Sequence, residues 1–136
     1  MEKLKNYIDE EFKSQSSALQ NLEKRVAKRA VAFDINELVR CKENLELITM
    51  VRDNLEEGMK TILTDDKPAD PILLVELIRG QLKRANVLYQ LLLKDNMNEN
   101  NCNFDDVAEM VNQKNRVKFL EKTLELLFEI IEAKKF

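Results

Sequence analysis

The stretch DPILLVELIRGQLKRANVLYQLLLK, Asp70 to Lys94, decides how this chain folds. At helical spacing its polar residues Glu76, Arg79, Lys83, Asn86, Gln90 and Lys94 fall on one narrow stripe. The remainder is apolar on two flanks. Leu74, Ile78, Leu82, Ala85, Leu88, Tyr89 and Leu92 make one; Leu73, Leu77, Val87 and Leu91 make the other. A surface helix ordinarily buries a single apolar face of about 100°. Two such flanks predict a central helix covered by neighbours on both sides, with only the polar seam in water. Gly80 lies on the second flank, between Leu77 and Val87 in projection. Its helix-propensity cost of roughly 1 kcal/mol relative to Ala predicts a compensating close approach by a neighbouring backbone.

Composition supports a helical environment for this stretch. The chain has 136 residues, enough for one domain with its own core, and only two Gly and two Pro. With 35% of residues charged and 44% hydrophobic, it is too poor in turn formers for a β fold. Working back from the central helix, Thr64–Ala69 reads as a loop, with Asp70 as N-cap and Pro71 at the first helical position. Before the loop, Ile35, Leu38, Cys41, Leu45, Ile48, Val51, Leu55, Met59 and Ile62 define one side of a helix over 35–63. Arg52 borders that stripe, and Gly58 marks a second candidate crossing.

A first helix is expected over 2–32. Ile8, Phe12, Leu19, Leu22, Val26 and Phe33, with Leu4 and Tyr7 ahead of them, form a heptad-like seam in which Gln15 and Arg29 fill two of the slots. Ser14, Ser16 and Ser17 make the neighbourhood of Gln15 a candidate kink. A corner is expected at Phe33-Asp34, where Asp34 with Glu37 resembles a capping box and Phe33 with Leu38 a hydrophobic staple. The competing possibility is one helix from Glu2 to Leu63, about 90 Å long. After Lys94, the run DNMNENNCN ends the central helix. Asn103 with Asp106 repeats the cap pattern, with Cys102 and Val107 as its staple. The last helix, over 104–133, carries Met110, Val117, Leu120, Leu124, Leu127 and Ile131 on its main stripe. Phe119, Leu126 and Ile130 add a flank that buries its C-terminal half more deeply. The fold class is therefore all-α: one domain, an antiparallel bundle of four long helices at about 2–32, 35–63, 71–94 and 104–133.

The same residues exclude most chemistry. The chain has no histidine, which removes the commonest general base and metal ligand, and the Glu-x-x-His pairs of di-iron bundles. Two cysteines cannot build a Cys-rich zinc site, and two glycines cannot build a phosphate-cradling loop. Asp65, Asp66 and Asp70 lack EF-hand spacing, and Asp105, Asp106 and Glu109 suit the positive end of a helix dipole. No catalytic, metal or cofactor-binding residue is assigned, and no cofactor is expected.

Two basic clusters remain as candidate partner or phosphate contacts: Lys24, Arg25, Lys28 and Arg29, and Arg79, Lys83 and Arg84 around Gly80. A net charge of −3 favours neither nucleic acid nor membrane. The clusters also lack the interleaved aromatics of single-strand binders. No apolar run of 18 residues and no secretory signal is present, and Cys41 and Cys102 are expected to be reduced, as in the cytoplasm. The function expected is a non-catalytic interaction module, an adaptor or small inhibitor of bacterial or phage origin, presenting a rigid helical face. Its partner is another protein or itself, with the seam of the first helix as the route to a homodimer. The alternative is a nucleic-acid-associated protein using the two basic clusters.

Overall fold

In a computed structural model of the protein, four α-helices follow one another: α1 (Glu2–Lys28), α2 (Ala32–Leu63), α3 (Pro71–Asn98) and α4 (Phe104–Lys134). The structure describes residues 2–63, 71–98 and 104–134, and the side chains of 2–56, 73–95 and 104–132. The expected 64–69 loop, the Asp70 and Asn103 caps, the Cys102 staple and the Gly58 crossing lie outside those residues.

The helices pair as two hairpins, α1 with α2 and α3 with α4, that pack into one bundle. Arg25 lies beside Asp34, and the Arg52 guanidinium stands 4.6 Å from the Phe12 ring centre, so α1 and α2 are antiparallel. Arg40 reaches Asp105 and Glu109, and Asn44 reaches Asn112, so α2 and α4 run in the same direction. The core gathers where all four helices contribute. Leu4 and Ile8 of α1, Val51 and Leu55 of α2, Ile78 of α3, and Leu120 and Leu127 of α4 are all buried there. Tyr7 stacks on Phe119 at 5.9 Å between ring centres, tying α1 to α4. Thr123, fully buried among these residues, donates its hydroxyl hydrogen to the Phe119 carbonyl at 2.8 Å, so its polar atom carries no desolvation debt.

Burial of α4 follows the expected gradient. Phe104, Val107 and Val111 are exposed, whereas Phe119, Leu120, Leu124, Leu126 and Leu127 are buried. Other expectations change. The corner falls at residues 29–31, four residues before Phe33-Asp34, and Asp34 sits inside the first turn of α2. Val31 opens that helix, its carbonyl accepting the Ile35 N–H at 3.0 Å, while the Arg29 N–H closes α1 onto the Arg25 carbonyl at 2.9 Å. An acidic residue within the first turn still faces the positive end of the helix dipole. Phe33 is exposed, so no staple fixes the corner. α1 is one uninterrupted helix through Gln15, and α3 continues past Lys94 to Asn98, because isolated Ser and Asn residues cost a helix only tenths of a kcal/mol each.

The largest departure concerns α3. Its first flank is mostly the buried one, with Leu74, Ile78 and Ala85 inside, although Leu88 is 39% exposed; Val75, which lies on neither flank of the sequence pattern, is buried with them. Its second flank is in water: Leu73 is 65% exposed, Leu77 36%, Val87 50% and Leu91 53%. No backbone approaches Gly80, and a Cβ placed there would meet nothing within 4 Å. The helix is covered on one side only.

Candidate functional site

The basic residues singled out by the sequence do not converge. Lys24, Arg25, Lys28 and Arg29 are all exposed at the end of α1, with Arg25 3.9 Å from Asp34 as the ion pair among them. The second cluster is split by its helix, since residues five apart point about 140° from one another. Arg79 turns toward α4, its guanidinium 5.3 Å from the Phe128 ring centre. Arg84 turns instead to an open cleft of about 470 Å³, and Lys83 projects into water between them. Arg25 is level with Asp34 on α2, whereas Arg84 is level with Glu43–Met50, so at least nine residues, about 13 Å, separate the clusters along the bundle.

That cleft lies between α2, α3 and α4, where the core seam is polar. On α2 the seam begins Glu37, Arg40, Asn44 before turning apolar at Leu47 and Ile48; on α4 it begins Asp105, Glu109, Asn112, Arg116 before Phe119 and Leu120. Arg40, whose side chain is 8% exposed, clasps the two helices. It donates from Nε and Nη2 to Glu37 Oε1 at 2.9 and 2.7 Å, from Nη2 to Asp105 Oδ1 at 2.8 Å, and from Nη1 to Glu109 Oε2 at 3.3 Å. Burial pulls the guanidinium's pKa down, but the hydrogen bonds and charges of Asp105 and Glu37 more than reverse this, so it stays cationic. The hydrogen bond from Arg40 holds the Asp105 carboxyl below the usual carboxylate range.

One turn further along, Asn44 donates to Asn112 Oδ1 at 2.7 Å, and Gln113 donates to Glu109 Oε1 at 3.0 Å. Arg116 and Gln113 both line the cleft, with Leu47, Met50, Leu88 and Leu120 as its apolar wall. Burial lowers the pKa of the Arg116 guanidinium, Glu43 and then Glu109 offset this in part, and Arg84 adds the smallest contribution, also downward. Neither Asp105 with Glu109 nor Arg40 was singled out from sequence as a pair, although the signal is present. Two carboxylates at i and i+4 repel one another on a helix, and a cation from a facing helix relieves that repulsion.

Exposed apolar side chains stand at Phe33, Ile35 and Val39 on α2, at Phe104, Val107 and Val111 on α4, and along the outer stripe of α3. Val75, Ile78, Leu82, Ala85 and Tyr89 face the bundle; Leu73, Leu77, Val87 and Leu91 project from the opposite side of the same helix, with Gly80 and Arg84 filling the same line. By contrast, the seam of α1 is used within the bundle, with Leu4, Ile8 and Leu22 buried. Among the described residues no group of three His, Cys, Asp or Glu side chains is arranged to hold a metal ion, and no helix is long and apolar enough to cross a membrane. Cys41 is a free, buried thiol whose pKa is pushed up by burial and by Glu37. No protein-family model matches this chain, and no curated protein or solved structure matches it either.

Proposed function

We propose that this chain is a non-catalytic protein–protein interaction module, an adaptor or small inhibitor, and that the outer stripe of α3 is the face it presents. The observation behind this reading is the exposure of Leu73 with Leu77 and of Val87 with Leu91 along one line opposite the buried side of their own helix, the two pairs separated by Gly80 and Arg84. Aligned apolar residues leave water on association, at about 25 cal/mol per Å² removed, whereas singly scattered ones signify nothing. The stripe is rigid because α3 is anchored along its opposite side to α4. A straight line of side chains at steps of four and three is the pattern that an amphipathic partner helix packs against.

A photo-crosslinking residue placed at Leu77 or Leu91, with Lys13 on α1 as control, tests this in the native host. Crosslinks to a helical segment of a protein from the two α3 positions, and none from Lys13, are expected. Equal labelling from all three positions, or none from α3, would remove the stripe from consideration.

A further inference from the structure

The cleft between α2, α3 and α4 holds charge that the chain leaves unpaired. Glu43 and Glu46, one turn apart on α2, line it from one helix, and Arg84 of α3 and Arg116 of α4 line it from the other two. Among the described residues, none of these four makes an ion pair. Arg84 and Arg116 are near enough for like charge to disfavour like charge. The inner wall is unsatisfied as well. Gln113 lines the cleft, is only 4% exposed, and gives its amide hydrogen to Glu109 Oε1 at 3.0 Å. That bond fixes which end of the amide is oxygen, since a carboxylate only accepts. The Gln113 Oε1 is then buried without a donor, and the Arg116 Nε is buried without an acceptor. Buried polar atoms left alone cost stability, so a group that pairs them from outside is stabilised in turn.

The geometry points to a binding site for a small zwitterion with an apolar body, an apolar amino acid or dipeptide. Its carboxylate lies toward Arg84 and Arg116, and its ammonium toward Glu43 and Glu46. Leu47, Met50, Leu88 and Leu120 form the apolar wall that its side chains cover. The cleft, at about 470 Å³, has the size of a small-molecule site, and such sites join an apolar lining to a few placed polar groups. The charge pattern selects the ligand. An anion alone would satisfy the guanidiniums and face two carboxylates across the cleft, and a cation alone would meet the reverse. Neighbouring helix axes lie about 8–10 Å apart, and an extended peptide advances about 3.3–3.6 Å per residue, so the two termini of a dipeptide reach both walls. A ligand N–H against the inner wall brings Gln113 Oε1 the donor that the fold withholds. Binding here does not depend on the outer stripe of α3.

Leucyl-leucine is the probe, added to the full chain with isotope-labelled methionine methyl groups and followed by NMR, the Met50 signal being assigned through Met50→Leu. A shift at Met50 that saturates with a dissociation constant between about 0.1 and 5 mM is expected. Acetyl-leucyl-leucine, which lacks the ammonium, and leucyl-leucine amide, which lacks the carboxylate, should each bind about tenfold more weakly. Arg84→Gln should weaken leucyl-leucine by about the same factor without weakening the amide. Glu43→Gln with Glu46→Gln should weaken leucyl-leucine without weakening the acetyl form. Glu43, Glu46 and Arg84 are exposed, so helicity by circular dichroism should match the parent in each variant. No shift at Met50 up to about 20 mM overturns the site. Equal binding of all three ligands, or variants that weaken every ligand alike, reduces the contact to unselective apolar adsorption and overturns the zwitterion.

Discussion

Replacing Arg40 with Met should separate the polar clasp from the apolar core and measure it. The change removes a guanidinium that is 8% exposed and serves three carboxylates, Glu37, Asp105 and Glu109, each about a third or more exposed. Charge-assisted hydrogen bonds contribute about 1.5–3 kcal/mol when buried, and exposed ion pairs under about 1 kcal/mol. With half-solvated acceptors, the 2.8 Å contact to Asp105 is placed at about 1 kcal/mol and the 3.3 Å contact to Glu109 at about half that. Glu37 is on the same helix, three residues away, and contributes about 0.4 kcal/mol. Removing the cation also leaves the three carboxylates facing one another without a counter-charge. The total is about 2–3 kcal/mol. For a chain of this length that corresponds to a fall in Tm of roughly 8 °C.

The pH dependence supplies an internal control. Asp105 has a folded pKa below its unfolded value of about 3.9. Its stabilising contribution is therefore present above that unfolded value and disappears as pH falls through the folded one. Thermal melts of parent and Arg40→Met, followed by circular dichroism at neutral pH and near pH 3, should show a gap that narrows in acid. Adding Asp105→Asn and Glu109→Gln to Arg40→Met should recover part of the loss at neutral pH, since the repulsion goes with the charges. A neutral-pH difference below about 1–2 °C, or a gap that persists unchanged in acid, would refute the clasp as an electrostatic device.

Three further outcomes are expected. Gly80→Ala should raise the Tm by about 3 °C, because helix propensity improves by about 1 kcal/mol and the added Cβ meets nothing; a fall would reveal a backbone close to Gly80. In a Tyr89→Phe background the remaining tyrosine, Tyr7, should ionise with a midpoint of about 12 rather than 10, through burial and then the charge of Glu11, and the fold should lose stability as pH rises between those values; a midpoint near 10 contradicts the packing of Tyr7 against Phe119. Replacing Lys24, Arg25, Lys28 and Arg29 by Gln should leave retardation of DNA or RNA weak and unchanged at about 0.15 M salt, where the Debye length is ~8 Å, whereas tight, salt-sensitive binding lost in the variant would favour the nucleic-acid alternative.

The helices and their order were legible in the sequence because hydrophobic spacing and the scarcity of Gly and Pro both point to them. The corner between α1 and α2 was legible as a cap-and-staple pattern but misplaced. Asp34 satisfies a first-turn position as well as a cap, and only the Val31 carbonyl bonded to the Ile35 N–H distinguishes the two. The Arg40 clasp was missed for a different reason. Glu37, Arg40, Asp105 and Glu109 each look like ordinary surface charge within their own helix. Their meaning lies in the alignment of α2 with α4, which single-helix periodicity does not contain. Once the two helices are set side by side, the polar beginnings of both seams coincide and the apolar continuations follow.

α3 shows a sharper limit of the same kind. Periodicity reports that a face is apolar and says nothing about which molecule covers it. Leu77 and Val87 occupy positions equivalent, in pattern alone, to Ile78 and Ala85, yet the first pair is in water and the second is buried. The bundle covers α3 from one side only, and the face turned directly away stays open. Burying that face within the fold would need a fifth helix, and the described chain has four. The sequence nevertheless keeps four large aliphatic residues there. A helix that only had to fold would be better served at those positions by Lys, Glu or Gln, which form helix well and keep the surface soluble. Two faces of like pattern thus divide in the structure, one into the core of the bundle and the other onto its surface.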